Sequence, residues 1–433
     1  EPYRRQRQMC IRDRYNCLLI NRRLLEYMKI LFYYLLYLIF LISSILYGSL
    51  YIGPVTPRQI MSVVMIVVCI KEGYLFFDKY AKLYFGFVFF YLVACFSTGG
   101  FDIALRNLLS YYLVAFVGYQ STRMIISKYR GARFVLLSLL SIFFVDAVVT
   151  LIQMWQRPLS YIILDTLNIT AADELLERAE LREMDTLAGL AVPGIVGSVL
   201  NGYVLAVSCA LIFYNKSARL KFWNIILLMF FLVSVFVVQE RTALFAAGFV
   251  SILMIVKLVG SSEEKNKVKW IFFFIAIILI IVFGRPLFYD SILDDGFRYS
   301  ESSFSIKEDA RSHIWSEAWD FIQSTPVGGI FYYTNTHIKM PHNFFLNAFI
   351  YGGIFGGLFL ITLFVEQMII VLKILIQKLS ANNILSLVFA GAYLAYSINT
   401  MTHNSSLADG NLLVWLLWGA IISTRNGINN IKK

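Results

Sequence analysis

NFFLNAFIYGGIFGGLFLITLFVEQMIIVL, residues 343–372, carries a single charged side chain, Glu366, and no proline. A helix needs about 20 mostly apolar residues to cross the hydrocarbon core of a bilayer, so this stretch reads as a membrane span. Runs of the same kind lie near 30–52, 59–76, 81–98, 103–120, 133–154 and 193–214. Others follow near 222–239, 242–259, 268–288, 384–401 and 410–424. Their length and continuity exclude a transmembrane β-barrel, whose strands are short and alternate in polarity. The expected fold is therefore all-α, a polytopic transmembrane helical bundle of about twelve spans. Composition agrees: 59% of the residues are hydrophobic and 15% charged. A soluble domain is nearer half apolar and a quarter charged.

The net charge of +11 would suit nucleic acid in a soluble protein. Here it reads as topology, because Lys and Arg hold loops on the cytoplasmic side. With the amino terminus inside, cytoplasmic segments hold Lys29, Lys71, Lys79, Lys82, Arg123, Lys128, Lys216, Lys265, Lys373 and Arg425, among others. The short outer loops hold Arg58, Arg241 and almost nothing else. Both termini are thus expected in the cytoplasm, and the second span is short enough to be re-entrant. The five cysteines have neither disulfide-framework nor CxxC spacing. Residues 1–29 form a basic amino terminus, and residues 1–23 lack the pattern of a cleavable signal. The stretch RQRQMCIRDR within it looks like translated sequencing-adapter sequence, so it enters no functional argument. Residues 30–433 are expected to form one membrane domain with two long outer loops, 155–192 and 289–342. The first contains the acidic helix-like stretch AADELLERAELREMD.

The second loop holds most of the unusual chemistry. All four histidines fall on the outer side: His313, His337 and His342 in this loop, His403 in the last one. No HExxH is present, and the spacing of His337 and His342 suits one helical face poorly, which weighs against a zinc site. The segment SIKEDARSHIWSEAWDFIQSTPVGG reads as a helix, with Ser305 and Glu308 at capping-box spacing and Pro326, Gly328 and Gly329 as its stop. Ile314, Trp315, Ala318, Trp319 and Ile322 share one stripe, with Arg311 in its middle and His313 nearly opposite. An arginine there either snorkels to the headgroups or meets an anion. Arg241 opens the eighth span at the outer surface, where it is either an interfacial anchor or an anion ligand at a helix amino terminus. Arg106 and Asp146 lie inside the fourth and fifth spans; they pair across the two helices or line a polar site. His342 is either an interfacial residue capping the tenth span or a base at headgroup depth. Gly352, Gly353, Gly356 and Gly357 supply two GxxxG spacings, most simply tight helix packing.

ARSHIWSEAWDFIQSTPVGGI followed by PHNFFLNAFIYGGIFGGLFLI resembles the O-antigen ligase and Wzy-type polymerase superfamily. Shared features are an Arg, a Trp a few residues on, a Pro then a Gly, and a His-Asn opening a glycine-containing span. ERTALFAAG is similar to the upstream Arg-plus-small-residue motif of that group, although Glu240 stands where many members have Ser. The resemblance extends over about residues 190–425. It implies a membrane glycosyltransferase of the C-type architecture, working at the outer face of the bacterial inner membrane. Its donor would be a glycan on undecaprenyl diphosphate; its acceptor, another lipid-linked repeat or a lipid A core. By motif, Arg241 and Arg311 would bind the diphosphate and His342 would be the general base. Trp315, Asn343, His403, Arg106 and Asp146 are secondary candidates. Neither a metal nor a cofactor is implied; the partners are the donor, the acceptor glycan or glycolipid, the bilayer and a chain-length regulator protein, with no nucleic acid. Polymerase is the leading expectation and ligase the second. A lipid-linked oligosaccharide flippase is the alternative from another class, although the outer clustering of charge and the lack of an internal repeat suit it poorly.

Overall fold

The computed structural model describes residues 2–46, 55–155, 159, 162–163, 166, 200–208, 218–238, 241–261, 310–336, 340–377, 380, 383–401 and 407–430. Every element among them is helical. The first half runs α1 (Pro2–Ile45), α2 (Pro57–Lys71), α3 (Lys79–Ser97) and α4 (Phe101–Asn107). A π-turn (Leu108–Tyr112), α5 (Leu113–Ser127) and α6 (Ala132–Trp155) complete it. After a helical stretch at 200–208 come α7 (Ala218–Val238), α8 (Arg241–Ser261), α9 (Ala310–Ser324) and α10 (Ile330–Thr336). The chain continues through α11 (Phe344–Ile376), α12 (Ile384–Thr400), a 3₁₀ turn (Leu407–Asp409) and α13 (Leu412–Asn430).

Among the described residues, five helical stretches are long and apolar enough to cross a membrane: Leu24–Ile45, Lys79–Ser97, Phe101–Ser127, Ala132–Ile152 and Phe344–Ile376. Shorter apolar helices cover Phe222–Val235, Phe245–Met254, Ile384–Thr400 and Leu412–Arg425. The protein is thus a polytopic helical membrane protein. Large apolar side chains such as Phe89, Phe355 and Leu358 point away from the bundle, as lipid-facing residues do. The expected span at 268–288, the acidic stretch AADELLERAELREMD and the Ser305–Glu308 cap lie outside the described residues. α2 has 15 residues, or about 22 Å at 1.5 Å per residue, short of a bilayer core as its sequence foretells.

Local chemistry explains the helix starts. Thr56 accepts from the Gln59 amide while the Gln59 side chain accepts from the Thr56 amide, and Pro57 occupies the first helical position of α2. Asp78 caps α3 through the Ala81 amide at 3.0 Å and also accepts from Arg123 at 2.7 Å and Tyr119 at 2.6 Å. α3 lies along α11, α5 along α13, and α12 beside both α8 and α13. At the α3–α11 contact, Gly352 and Gly356 present bare backbone to Phe87 and Phe90. That is the close approach expected of a GxxxG spacing. Glu366, the one charge of the 343–372 stretch, pairs with Lys79 at 2.6 Å.

The end of the bundle that the charge pattern assigns to the cytoplasm is tied by Glu72. Its side chain is 4% exposed and takes Lys29 at 2.9 Å and Lys128 at 2.6 Å. Tyr33 and Tyr129 each donate to it at 2.7 Å. Four donors from α1 and the α5–α6 corner thus converge on one carboxylate at the end of α2.

Candidate active site at the head of α11

α9 begins at Ala310 and stops at Ser324, one residue before Thr325 and Pro326 end it. Its buried face is Ala318, Phe321 and Ile322, packed against α11. The expected stripe is therefore rotated: Trp319 is 51% exposed while Phe321 is 4% exposed. Packing against α11 and the Tyr332 and Tyr333 rings of α10 selects the face that carries Phe321, and leaves Trp319 exposed, as suits a membrane boundary. Arg311 stands in the first turn of α9, seven and eleven residues before Ala318 and Ile322 and so on their side of the helix. His313 lies on the other side, with its side chain 79% exposed and Nδ1 3.1 Å from Glu317.

Trp315 reaches across to the head of α11. Its indole N–H donates to the Pro341 carbonyl at 2.6 Å. His342, the next residue, has φ 46°, the left-handed region that L residues with a Cβ enter only at a cost. Asn343 then caps α11 by accepting from the Phe345 amide at 2.9 Å and the Leu346 amide at 3.2 Å. The cap of this span is thus Asn343 and not His342, which removes the capping alternative for the histidine. An amide oxygen suits an N-cap; an imidazole does not.

A second joint lies about three turns further along α11. α11 is broken at Gly353 (φ 63°, ψ −167°), and the turn after α9 fills the break. The Ile354 amide donates to the Pro326 carbonyl at 2.9 Å, and the Gly329 amide donates to the Ile350 carbonyl at 2.8 Å. Both are groups that an unbroken helix would have satisfied internally. A Cβ at Gly353 would stand 2.2 Å from the Val327 carbonyl oxygen. Of the four glycines in the expected GxxxG pattern, Gly353 therefore serves a backbone joint rather than helix packing. Tyr333 on α10 is buried beside Phe321, with ring centroids 5.0 Å apart. Burial, and then the negative Glu317, pushes its phenol up to about 12, so it stays protonated at any physiological pH.

Arg241 is the first residue of α8. His337 and His403 lie outside the described residues. The Arg106–Asp146 pair is not formed: Asp146 is fully buried in α6, whereas Arg106 is exposed near the end of α4. Asp146 shares its buried face with Phe143, Ala147 and Thr150. Among the described residues, no three His, Cys, Asp or Glu side chains converge as metal ligands.

Sequence reading missed the Trp315–Pro341 bond, the left-handed histidine and the Gly353 joint. Two glycine pairs, 328–329 and 352–353, were the available signal for the joint. It also missed a polar seam at the end of α2 opposite Glu72. Arg58 lies over the Tyr111 ring at 4.5 Å, Gln59 donates to Ser110 at 2.7 Å, and Tyr112 donates to the Ala408 carbonyl at 2.8 Å. The seam is built on the π-turn, a distortion frequent at functional sites.

Residues 226–361 match the family model described as O-antigen ligase, a span narrower than the 190–425 suggested by the motifs. No curated protein matches the chain at a significant level. The match takes in Arg241, all of α9 and α10, and α11 through its break at Gly353. Residues 226–361 therefore match an O-antigen ligase domain, and this match over part of the helical membrane protein supports the resemblance to the O-antigen ligase and polymerase superfamily.

Proposed function

We propose that the protein transfers a glycan from undecaprenyl diphosphate to a sugar hydroxyl of another lipid-linked repeat, at the outer face of the bacterial inner membrane. The Trp315–Pro341 bond carries this reading, because it ties the helix of Arg311 to the backbone of His342. In the reaction, the bond between the reducing-end sugar carbon and the diphosphate oxygen breaks. A bond from the acceptor oxygen to that carbon forms. His342 takes the acceptor proton, and undecaprenyl diphosphate leaves with its charge held by Arg241 and Arg311. Guanidinium forks suit phosphate oxygens, and a neutral imidazole suits hydroxyl activation near pH 7. The twelve spans, cytoplasmic termini and a role for a chain-length regulator belong to the same proposal.

Transfer to a lipid A core is the second reading, favoured by the description of the matched family. Incubating the purified protein with donor alone, and with donor plus lipid A core, separates the two. A ladder of lengthened lipid-linked glycan from donor alone supports polymerase; product only with the core supports ligase; neither product overturns both. Arg241→Ala and Arg311→Ala are expected to weaken donor binding at least about tenfold, as loss of a charge-assisted phosphate contact does.

A further inference from the structure

We infer that Trp315 is a positioning residue for His342, acting through the peptide bond that precedes the histidine. The inference rests on the assignment of His342 as base. φ of His342 is the rotation between the Pro341–His342 peptide plane and the His342 α-carbon, so holding that plane holds φ. The Pro341 carbonyl lies outside α11, whose first intrahelical bond runs from the Asn347 amide to the Asn343 carbonyl at 2.9 Å. Trp315 takes the Pro341 carbonyl at 2.6 Å, and Asn343 fixes the peptide on the other side by capping α11. His342 is thus clamped at both flanks in a left-handed conformation, φ 46°, that an unclamped histidine would leave. Backbone dihedrals set the direction in which Cβ leaves the chain, so the clamp aims the imidazole.

The clamp also has a register. Trp315 is four residues after Arg311, one turn along the same face of α9. The indole therefore sets the depth of the Arg311 turn against His342. An aromatic side chain held only for packing would not need its N–H directed at this carbonyl. Phe321 and Ala318 already supply the buried contact of α9.

Trp315→Phe, which keeps a ring and loses the N–H, is the test. It is carried out on the purified full chain with an undecaprenyl-diphosphate glycan as donor. Turnover is expected to fall about tenfold with the KM for donor within about twofold, the scale of one lost hydrogen bond felt at the transition state. In a His342→Ala background, the same change is expected to alter the residual rate by less than about twofold, because its route to the chemistry is gone. An equal loss in both backgrounds makes Trp315 a packing residue and overturns the inference. So does wild-type turnover in Trp315→Phe. If His342→Ala itself keeps full turnover, the base assignment falls, a result independent of Trp315→Phe. Should Trp315→Phe not fold, benzothienylalanine at position 315 decides on the same readouts. It preserves the two-ring outline and removes only the N–H.

Discussion

His313 and His342 belong to the same long segment, which the charge pattern assigns to the outer side, and differ in how the backbone presents them. His313 sits at the first turn of α9, exposed and beside Glu317, whereas His342 stands between a bonded carbonyl and a helix cap. A base must be held within reach of the proton it takes, which favours the clamped histidine. His342→Ala is expected to cut turnover by at least about 100-fold with donor binding retained, and His313→Ala to stay within a few fold of wild type. Rate assays on variants that pass detergent gel filtration check this; an inactive His313→Ala beside an active His342→Ala reverses the assignment. Gly353 is a residue whose identity is forced. At φ 63°, with the Val327 carbonyl where a Cβ would go, alanine is both strained and blocked. Gly353→Ala should lower the melting temperature and separate the Pro326–Gly329 turn from α11, read as faster amide exchange at Gly329 and Ile354.

At the scale of elements, two kinds of tie hold helices in register. α9 and α11 are joined by backbone bonds at the Gly353 break and by Trp315 at the head of α11. α1, α2 and the α5–α6 corner are joined by charge at Glu72. Removing Glu72 leaves two lysines and two phenols without their shared acceptor. Glu72→Ala is expected to cost about 2 kcal/mol, less than a fully buried pair because both lysines are partly exposed. A lower melting temperature with KM for donor unchanged in the folded fraction is the expected result. A variant as stable as wild type would make the cluster a solvated surface feature. The absence of an Arg106–Asp146 pair is also decided between elements: packing buries Asp146 on α6 and leaves Arg106 exposed on α4.

For the molecule as a whole, the charge pattern assigns the α9–α11 site and the Glu72 cluster to opposite sides of the bilayer. Single cysteines replacing Thr170 and Asp320 are expected to react with an impermeant thiol reagent from outside. Ala218→Cys and Asn266→Cys are expected to react only after permeabilisation. The five native cysteines, of which Cys69 and Cys95 are buried, would be removed first. A reversed pattern at either pair displaces the site from the outer face. Transfer is further expected to persist in excess EDTA, because two arginines can carry the diphosphate charge without a divalent ion. Loss in chelator with rescue by one metal would return the histidine-rich loop to consideration as a zinc site.

Much of this architecture is local and was therefore legible in the chain. Long apolar runs read as spans because every backbone polar group in lipid must be satisfied within its own helix. The short α2, the end of α9 before Pro326 and the exposed His313 follow from length, proline and helical periodicity. So does the His-Asn motif at the head of α11, since a helix start is written in a few adjacent residues. The sequence brought Arg241, Arg311 and His342 together only as motifs in order. What tertiary structure alone decided is where non-neighbouring backbones meet. Trp319 faces outward and Phe321 inward because α10 and α11 cover one side of α9; Gly353 is a joint because the Pro326–Gly329 turn arrives there; Asp146 is buried without Arg106. Periodicity reports which residues share a face, but not which partner that face will meet. The left-handed turn at His342 exists because an indole from another helix holds the carbonyl before it.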